Sequence, residues 1–122
     1  MKLIRALIIS LLPFLVLASN QTDACKAMEN IRLEMNVISS NIVNVSTTRI
    51  PNGGPYLVKE FVCVDLNCEI KETSKILTKY EPSHLDADKN GYVSYPDIDL
   101  MQQMNSMILA TRKYEEAAKS CH

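Results

Sequence analysis

Two stretches near opposite ends of the chain repeat apolar residues every 3.5 positions, and this period restricts the fold more than any other feature. In the first, Ala24, Met28, Ile31, Met35, Ile38, Ile42 and Val45 alternate steps of four and three. In the second, Leu100, Met104, Met107, Thr111, Tyr114, Ala118 and Cys121 do the same. Such spacing keeps one narrow stripe on one side of a helix, the seam of a coiled coil. A lone helix of this length is marginal in water because nucleation is costly, so pairing is what stabilises both. The first helix is expected over about 23–45, with Thr22 or Asp23 as N-cap. The second is expected over about 96–120. There Pro96 suits the first helical position, Ser94 or Tyr95 the cap, and Asp97 and Asp99 the positive end of the helix dipole.

Between the helices the chain changes character. Pro51-Asn52-Gly53-Gly54-Pro55 is turn chemistry and stops the first helix by Ile50. A β region is expected over about 56–80, where Tyr56–Val64 is rich in strand formers. Asp65-Leu66-Asn67 supplies a hairpin turn, and Cys68–Thr73 returns. Residues 81–95 read as a polar, Asp-rich loop. The fold class is therefore mainly α with a small β region. Two long helices pair antiparallel as a coiled coil, joined by a β-hairpin and the Asp-rich loop.

Residues 1–19 stand apart. Lys2 and Arg5 precede an apolar run from Ala6 to Leu17, and the small residues Ala18 and Ser19 follow. This is the order of a secretory signal peptide, cleaved after Ala18 or Ser19. The competing reading is a retained N-terminal anchor, for which the run is short, since a spanning helix takes about 20 apolar residues. Export by Sec to the periplasm is the expectation, with 20–122 as a single domain. Without Lys2 and Arg5 the rest carries 11 basic residues against 14 acidic ones. With no basic cluster, nucleic acid is not an expected partner.

All four cysteines, Cys25, Cys63, Cys68 and Cys121, fall after the signal segment. An even count in an exported chain argues for disulfides, because the periplasm is oxidising. Three connectivities are possible. In an antiparallel helix pair Cys25 and Cys121 lie at neighbouring ends, and Cys63 and Cys68 flank the hairpin turn, within cross-strand reach of each other. Cys25–Cys121 with Cys63–Cys68 is the preferred set.

No catalytic constellation emerges. The histidines, His84 and His122, belong to no nucleophile–base pattern, and there is no glycine-rich phosphate loop. Cys63-x4-Cys68 is not the spacing of thiol oxidoreductases. Met28, Met35, Met101, Met104 and Met107 fall at helical spacing and read as core or seam. One metal reading is open. Asp86, Asp88, Asn90 and Asp97 match positions 1, 3, 5 and 12 of an EF-hand loop, with Gly91 at position 6. Against it, position 12 lacks the longer glutamate, Pro96 sits at position 11, and Pro82 prevents a regular incoming helix. An Asx-rich turn into the second helix is the plainer reading. The expectation is no enzyme, no cofactor and no small-molecule substrate.

Two segments carry a family resemblance. Arg32–Tyr56 contains Asn41-Ile-Val-Asn44 at a helix end, then Thr47-Thr48-Arg49 and Gly53-Gly54-Pro55-Tyr56. Tyr80–Leu100 contains Asp86-Ala-Asp88-Lys-Asn90-Gly91-Tyr92-Val93 and Pro96, and Met104 to Tyr114 continues it. Both resemble the flagellar basal-body rod protein C family, a proximal-rod component. The resemblance implies two terminal helices in a coiled coil around a small β region. It also implies a structural subunit that assembles through those helices with other rod-type subunits or with itself, in the flagellar basal body. Asn41, Asn44, Thr47, Thr48, Gly53, Gly54, Tyr92 and Pro96 are the assembly-motif residues it marks. The alternatives are a stand-alone periplasmic protein-binding module derived from the rod fold, or a weak calcium-binding protein.

Overall fold

A computed structural model describes residues 22–122 with their side chains and residues 2–21 only as the backbone of the first helix. The expected signal segment, 1–19, lies outside the fully described residues. The chain order is α1 (Lys2–Val43), β1 (Val58–Val64), β2 (Asn67–Thr73), β3 (Ile76–Tyr80), β4 (Tyr92–Pro96) and α2 (Leu100–Ser120). The architecture is mainly helical, with two small antiparallel sheets, β1-β2 and β3-β4. Among the described residues, no helix is long and apolar enough to cross a membrane.

α1 is the central element, with α2 along one side and β1 along another. Its expected seam is at least partly buried at every position from Ala24 to Val45, and Val37 and Ile38 join the small core of Tyr56, Val58, Val93 and Ala110. The N-cap expected at Thr22 or Asp23 is corrected: the helix runs through both. No glycine or proline lies between Asn20 and Val43 to interrupt it. The far end falls close to expectation, because Asn44 folds its side-chain amide back onto the Ser40 carbonyl at 2.8 Å. That satisfies one of the carbonyls a helix end leaves open.

The hairpin forms where strand formers and a tight turn coincide. Its register sets Phe61 opposite Ile70, Cys63 opposite Cys68 and Val64 opposite Asn67, leaving only Asp65 and Leu66 in the loop. Asp65 takes φ 56°, a left-handed conformation that aspartate tolerates better than most residues and that two-residue hairpin turns require. β3 pairs with β4, with Ile76 opposite Pro96 and Tyr80 opposite Tyr92.

The second helix departs most from expectation. Residues 92–96, expected as the end of the loop and the start of the helix, form β4 instead. Pro96 ends that strand, where its missing N–H costs no ladder bond. The helix begins at Leu100, and Asp99 is its N-cap, accepting the Gln102 N–H at 3.1 Å. Neither Ser94 nor Tyr95 caps it.

The face that α2 turns inward also differs. Gln103, Met107, Ala110, Tyr114, Ala117 and Cys121 are buried or half-buried, whereas the expected seam residues Leu100, Met104 and Ala118 are exposed. The period is still 3.5, but three of its positions have moved by one residue, which turns the helix through several tens of degrees. Small residues at Ser106, Ala110 and Ala117 let the two helices approach. The most apolar face of α2 is left outward.

Candidate assembly surface

The end of α1 and the segment after it are held by a network centred on Asn41, which is 2% exposed. Its amide oxygen accepts from the Lys59 backbone N–H at 3.0 Å and from the Tyr56 hydroxyl at 2.8 Å. Its amide nitrogen donates to the Lys59 carbonyl at 2.9 Å and to Gln103 Oε1 at 3.4 Å. One side chain thus uses all its donors and acceptors to join α1, β1 and α2. Toward Lys59 it acts as a neighbouring strand would. Because Tyr56 gives its proton to Asn41, the 2.8 Å contact with Ser40 must be donated by Ser40 Oγ. Burial raises the Tyr56 pKa above its ordinary value, the Ser40 hydrogen bond works against this, and the charge of Glu72 adds to the rise.

Asn44 and Thr47 continue the line. Thr47 Oγ1 donates to Asn44 Oδ1 at 3.0 Å, and the Thr47 carbonyl accepts from Tyr56 N–H at 3.0 Å. The intervening turn closes through Gly53 N–H to the Ile50 carbonyl and Ile50 N–H to the Gly54 carbonyl. Gly53 and Gly54 have φ of 85° and 77°, which glycine reaches without strain.

The two segments that carry the family resemblance meet at Asp86. Thr48 Oγ1 donates to its Oδ2 at 2.7 Å, and Arg49 lies 3.8 Å from its Oδ1. The Asp86 N–H in turn donates to His84 Nδ1 at 3.0 Å. Nearby, Tyr95 donates to Glu81 at 2.6 Å, a bond that raises the Tyr95 pKa. Asp88 folds its own loop, accepting the Asn90 and Tyr92 N–H groups at 2.9 Å each. Gly91, at φ 88°, lies so close to Tyr80 that a Cβ there would sit 2.8 Å from the ring. Tyr80 and Tyr92 meet edge-to-face at 5.3 Å. An open cleft of about 320 Å³ runs between Arg49, Gly54, Asp88 and Tyr92.

Of the marked residues, Asn41, Asn44 and Thr47 form one network. Thr48, Gly53, Gly54 and Tyr92 border one cleft, and Pro96 stands apart, buried at the end of β4. Asp86, Asp88, Asn90 and Asp97 do not gather as a calcium loop. Asp86 is turned to Thr48 and Arg49, Asp88 to backbone N–H groups, and β4 intervenes before Asp97. No three His, Cys, Asp or Glu side chains are placed to hold a metal among the described residues. Tyr56, Ser40 and Gln103 are the partners that sequence reasoning missed. So is Asn30, whose amide donates to the Leu66 carbonyl at 2.9 Å and pins the hairpin tip to α1.

At the opposite end, Cys25 and Cys121 stand at disulfide distance, Sγ to Sγ 2.00 Å. Cys63 and Cys68 do so across the hairpin at 2.06 Å. A third feature lies on α2, where Leu100, Met104, Met107 and Ile108 with Ile42 line an apolar groove of about 520 Å³.

No protein-family model matches the chain. Individual relatives do. The chain is 34% identical over 113 residues to the flagellar basal-body rod protein FlgC of Borreliella burgdorferi, across 69% of this chain and 74% of that protein. This chain belongs to the FlgC family. FlgC of Aquifex aeolicus is 33% identical over 101 residues, across 73% of this chain and 75% of its own. FlgC of Bacillus subtilis is 26% identical over 120 residues, across 75% and 80%. The Thr48–Asp86 contact joins the segment after α1 to the loop before β4.

Proposed function

We propose that this chain is a structural subunit of the flagellar rod type, which packs through its helices against other rod-type subunits or against itself. The observation that carries this reading, beside the kinship to rod proteins, is the outward apolar face of α2. Leu100, Met104 and Ile108 are 41%, 49% and 53% exposed in line along the helix, where a self-sufficient monomer would bury them. A scaffold needs no catalytic centre, and an assembly reading uses the groove, the rigid Asn41 network and the helix pair together.

The helix pair is read as an antiparallel coiled coil. Contacts at 25 with 121, 32 with 114 and 41 with 103 support it, since partner numbers fall as α1 numbers rise. The working place is the periplasm within the basal body, reached by Sec with loss of the first 18 or 19 residues. Oxidised Cys25–Cys121 and Cys63–Cys68 fit that compartment. Intact mass before and after reduction and alkylation checks both points. The expected product lacks the signal segment and gains label at four thiols only after reduction. An uncleaved chain with free thiols contradicts the export route.

The function is tested by producing the chain in a flagellated species from which its own rod protein C has been deleted. Recovery of complete basal bodies is expected from a working rod subunit. Recovery of none, with a stable monomer that captures one other protein, would turn the assignment to a stand-alone binding module.

A further inference from the structure

The two disulfides sit in different surroundings. Cys25 and Cys121 are half-buried where α1 packs against the end of α2, and they close a separation of 96 residues. Cys63 and Cys68 are only 5 apart and face each other next to the tip of the β1-β2 hairpin. Cys63 is exposed, as are Val62, Val64 and Asp65 around it, whereas Cys68 is half-buried. The tip also has other holds on its place. The ladder from Val58–Thr73 to Val62–Glu69 lies on one side of the bond and the pair Val64–Asn67 on the other. From α1, Asn30 holds the Leu66 carbonyl at 2.9 Å. A thiolate in solution therefore reaches Cys63 without any unfolding, and the hairpin survives the loss of the bond. Access is one of the terms that sets the rate of thiol–disulfide exchange, and exposed disulfides are the labile ones.

We propose that Cys63–Cys68 is the exchangeable disulfide of this chain, and that Cys63 is a site of reversible modification by a small thiol. The incoming thiolate sulfur attacks Cys63 Sγ. The bond to Cys68 breaks, and Cys68 leaves as a thiolate that takes a proton from water. The product is a mixed disulfide on Cys63 beside a free Cys68 thiol. A second small thiolate then attacks the sulfur of the bound one and releases Cys63. The sum is two electrons to the protein disulfide and one disulfide made from two small thiols. In reverse, Cys68 attacks Cys63 Sγ and expels the bound thiol. The ladder keeps Cys68 opposite Cys63, so this return is intramolecular and favoured by a high effective concentration. The chain is the target of the exchange and not its catalyst, in keeping with the Cys63-x4-Cys68 spacing. Cys25–Cys121 stays closed meanwhile and keeps the helix pair joined. The inference does not depend on the rod reading.

Graded reduction of the oxidised full chain with reduced glutathione tests it, with N-ethylmaleimide trapping of thiols and peptide mapping by mass spectrometry. Opening at Cys63 and Cys68 should be at least about tenfold faster than at Cys25 and Cys121. The far-ultraviolet circular dichroism spectrum should stay that of the parent while it happens. Two variants that leave one thiol each locate the attacked sulfur, with glutathione disulfide as the probe. Cys63 in Cys68→Ser should take up glutathione at least about fivefold faster than Cys68 in Cys63→Ser. Cys25–Cys121 opening first or in step, opening of Cys63–Cys68 only together with loss of the dichroism signal, or equal uptake by the two variants would each overturn the proposal. The parent's order of opening decides even if a single variant folds poorly.

Discussion

Replacing Asn41 with alanine is the sharpest perturbation of the fold. The side chain is 2% exposed and makes four hydrogen bonds, to the Lys59 N–H, the Lys59 carbonyl, the Tyr56 hydroxyl and Gln103. Gln103 is half-buried and its 3.4 Å bond is long, so it finds water without much loss. The Lys59 N–H and carbonyl lie against α1 and are left without their mate, and the Tyr56 hydroxyl keeps Ser40 but loses its acceptor. Stranding a buried polar group costs about 1–3 kcal/mol. Because Lys59 is only half-buried, the lower end applies, giving a total of about 3 kcal/mol. For a domain of this size each kcal/mol moves the melting midpoint by roughly 4–8 °C. Asn41→Ala should therefore melt at least about 12 °C lower. Asn41→Asp keeps the acceptor but loses the amide donors and sets a buried carboxylate beside the Lys59 carbonyl, so it should be at least as costly. The assay is thermal and urea unfolding by far-ultraviolet circular dichroism, with both disulfides oxidised. A midpoint for Asn41→Ala within about 3 °C of the parent would refute the claim that this network ties α1 to β1.

Paired replacement of Cys25 and Cys121 by serine should destabilise the fold by about 4–5 kcal/mol, since the closed loop spans a sequence separation of 96. Paired replacement of Cys63 and Cys68, separated by 5, should cost only about 2 kcal/mol, and urea midpoints compare the two. Gly91→Ala meets both a positive φ and the Tyr80 ring and should lose more than about 2 kcal/mol. Gly54→Ala, with a positive φ but open space, should lose about 1 kcal/mol; melts of the two variants decide. Stability should fall as pH rises past about 10, because the unfolded tyrosine gives up its proton there while folded Tyr56 holds its own to higher pH. Tyr56→Phe should flatten that alkaline slope while lowering stability at neutral pH. Calcium or a chelator should leave the melting midpoint unmoved, because Asp86 and Asp88 already serve protein donors.

Much of this fold was legible because its signals are local. The α1 seam, the hairpin register at Cys63 and Cys68 and the nearness of Cys25 to Cys121 were legible from spacing, although Cys25 lies inside α1 and not at its start. Pro96 misled because two roles suit it, the first position of a helix and the end of an edge strand. Pairing with Ile76 favours the second, and Asp99 is then free to cap. The α2 face misled for a different reason. Periodicity finds the most apolar stripe, but the stripe that packs inside is set by Asn41 meeting Gln103 and by the small residues Ala110 and Ala117. Where those two stripes differ, the apolar one remains for a partner. The link from Thr48 to Asp86, 38 residues away, has no local signal in either segment.

The central claim is that this member of the FlgC family works as part of a rod. Basal bodies purified from cells producing a tagged chain, stripped of membrane and assayed by mass spectrometry and tag labelling, test it most directly. The account predicts that the chain stays with the rod after washing, in several copies per particle. Finding it wholly in the soluble periplasmic fraction, with washed rods free of it, would contradict the account.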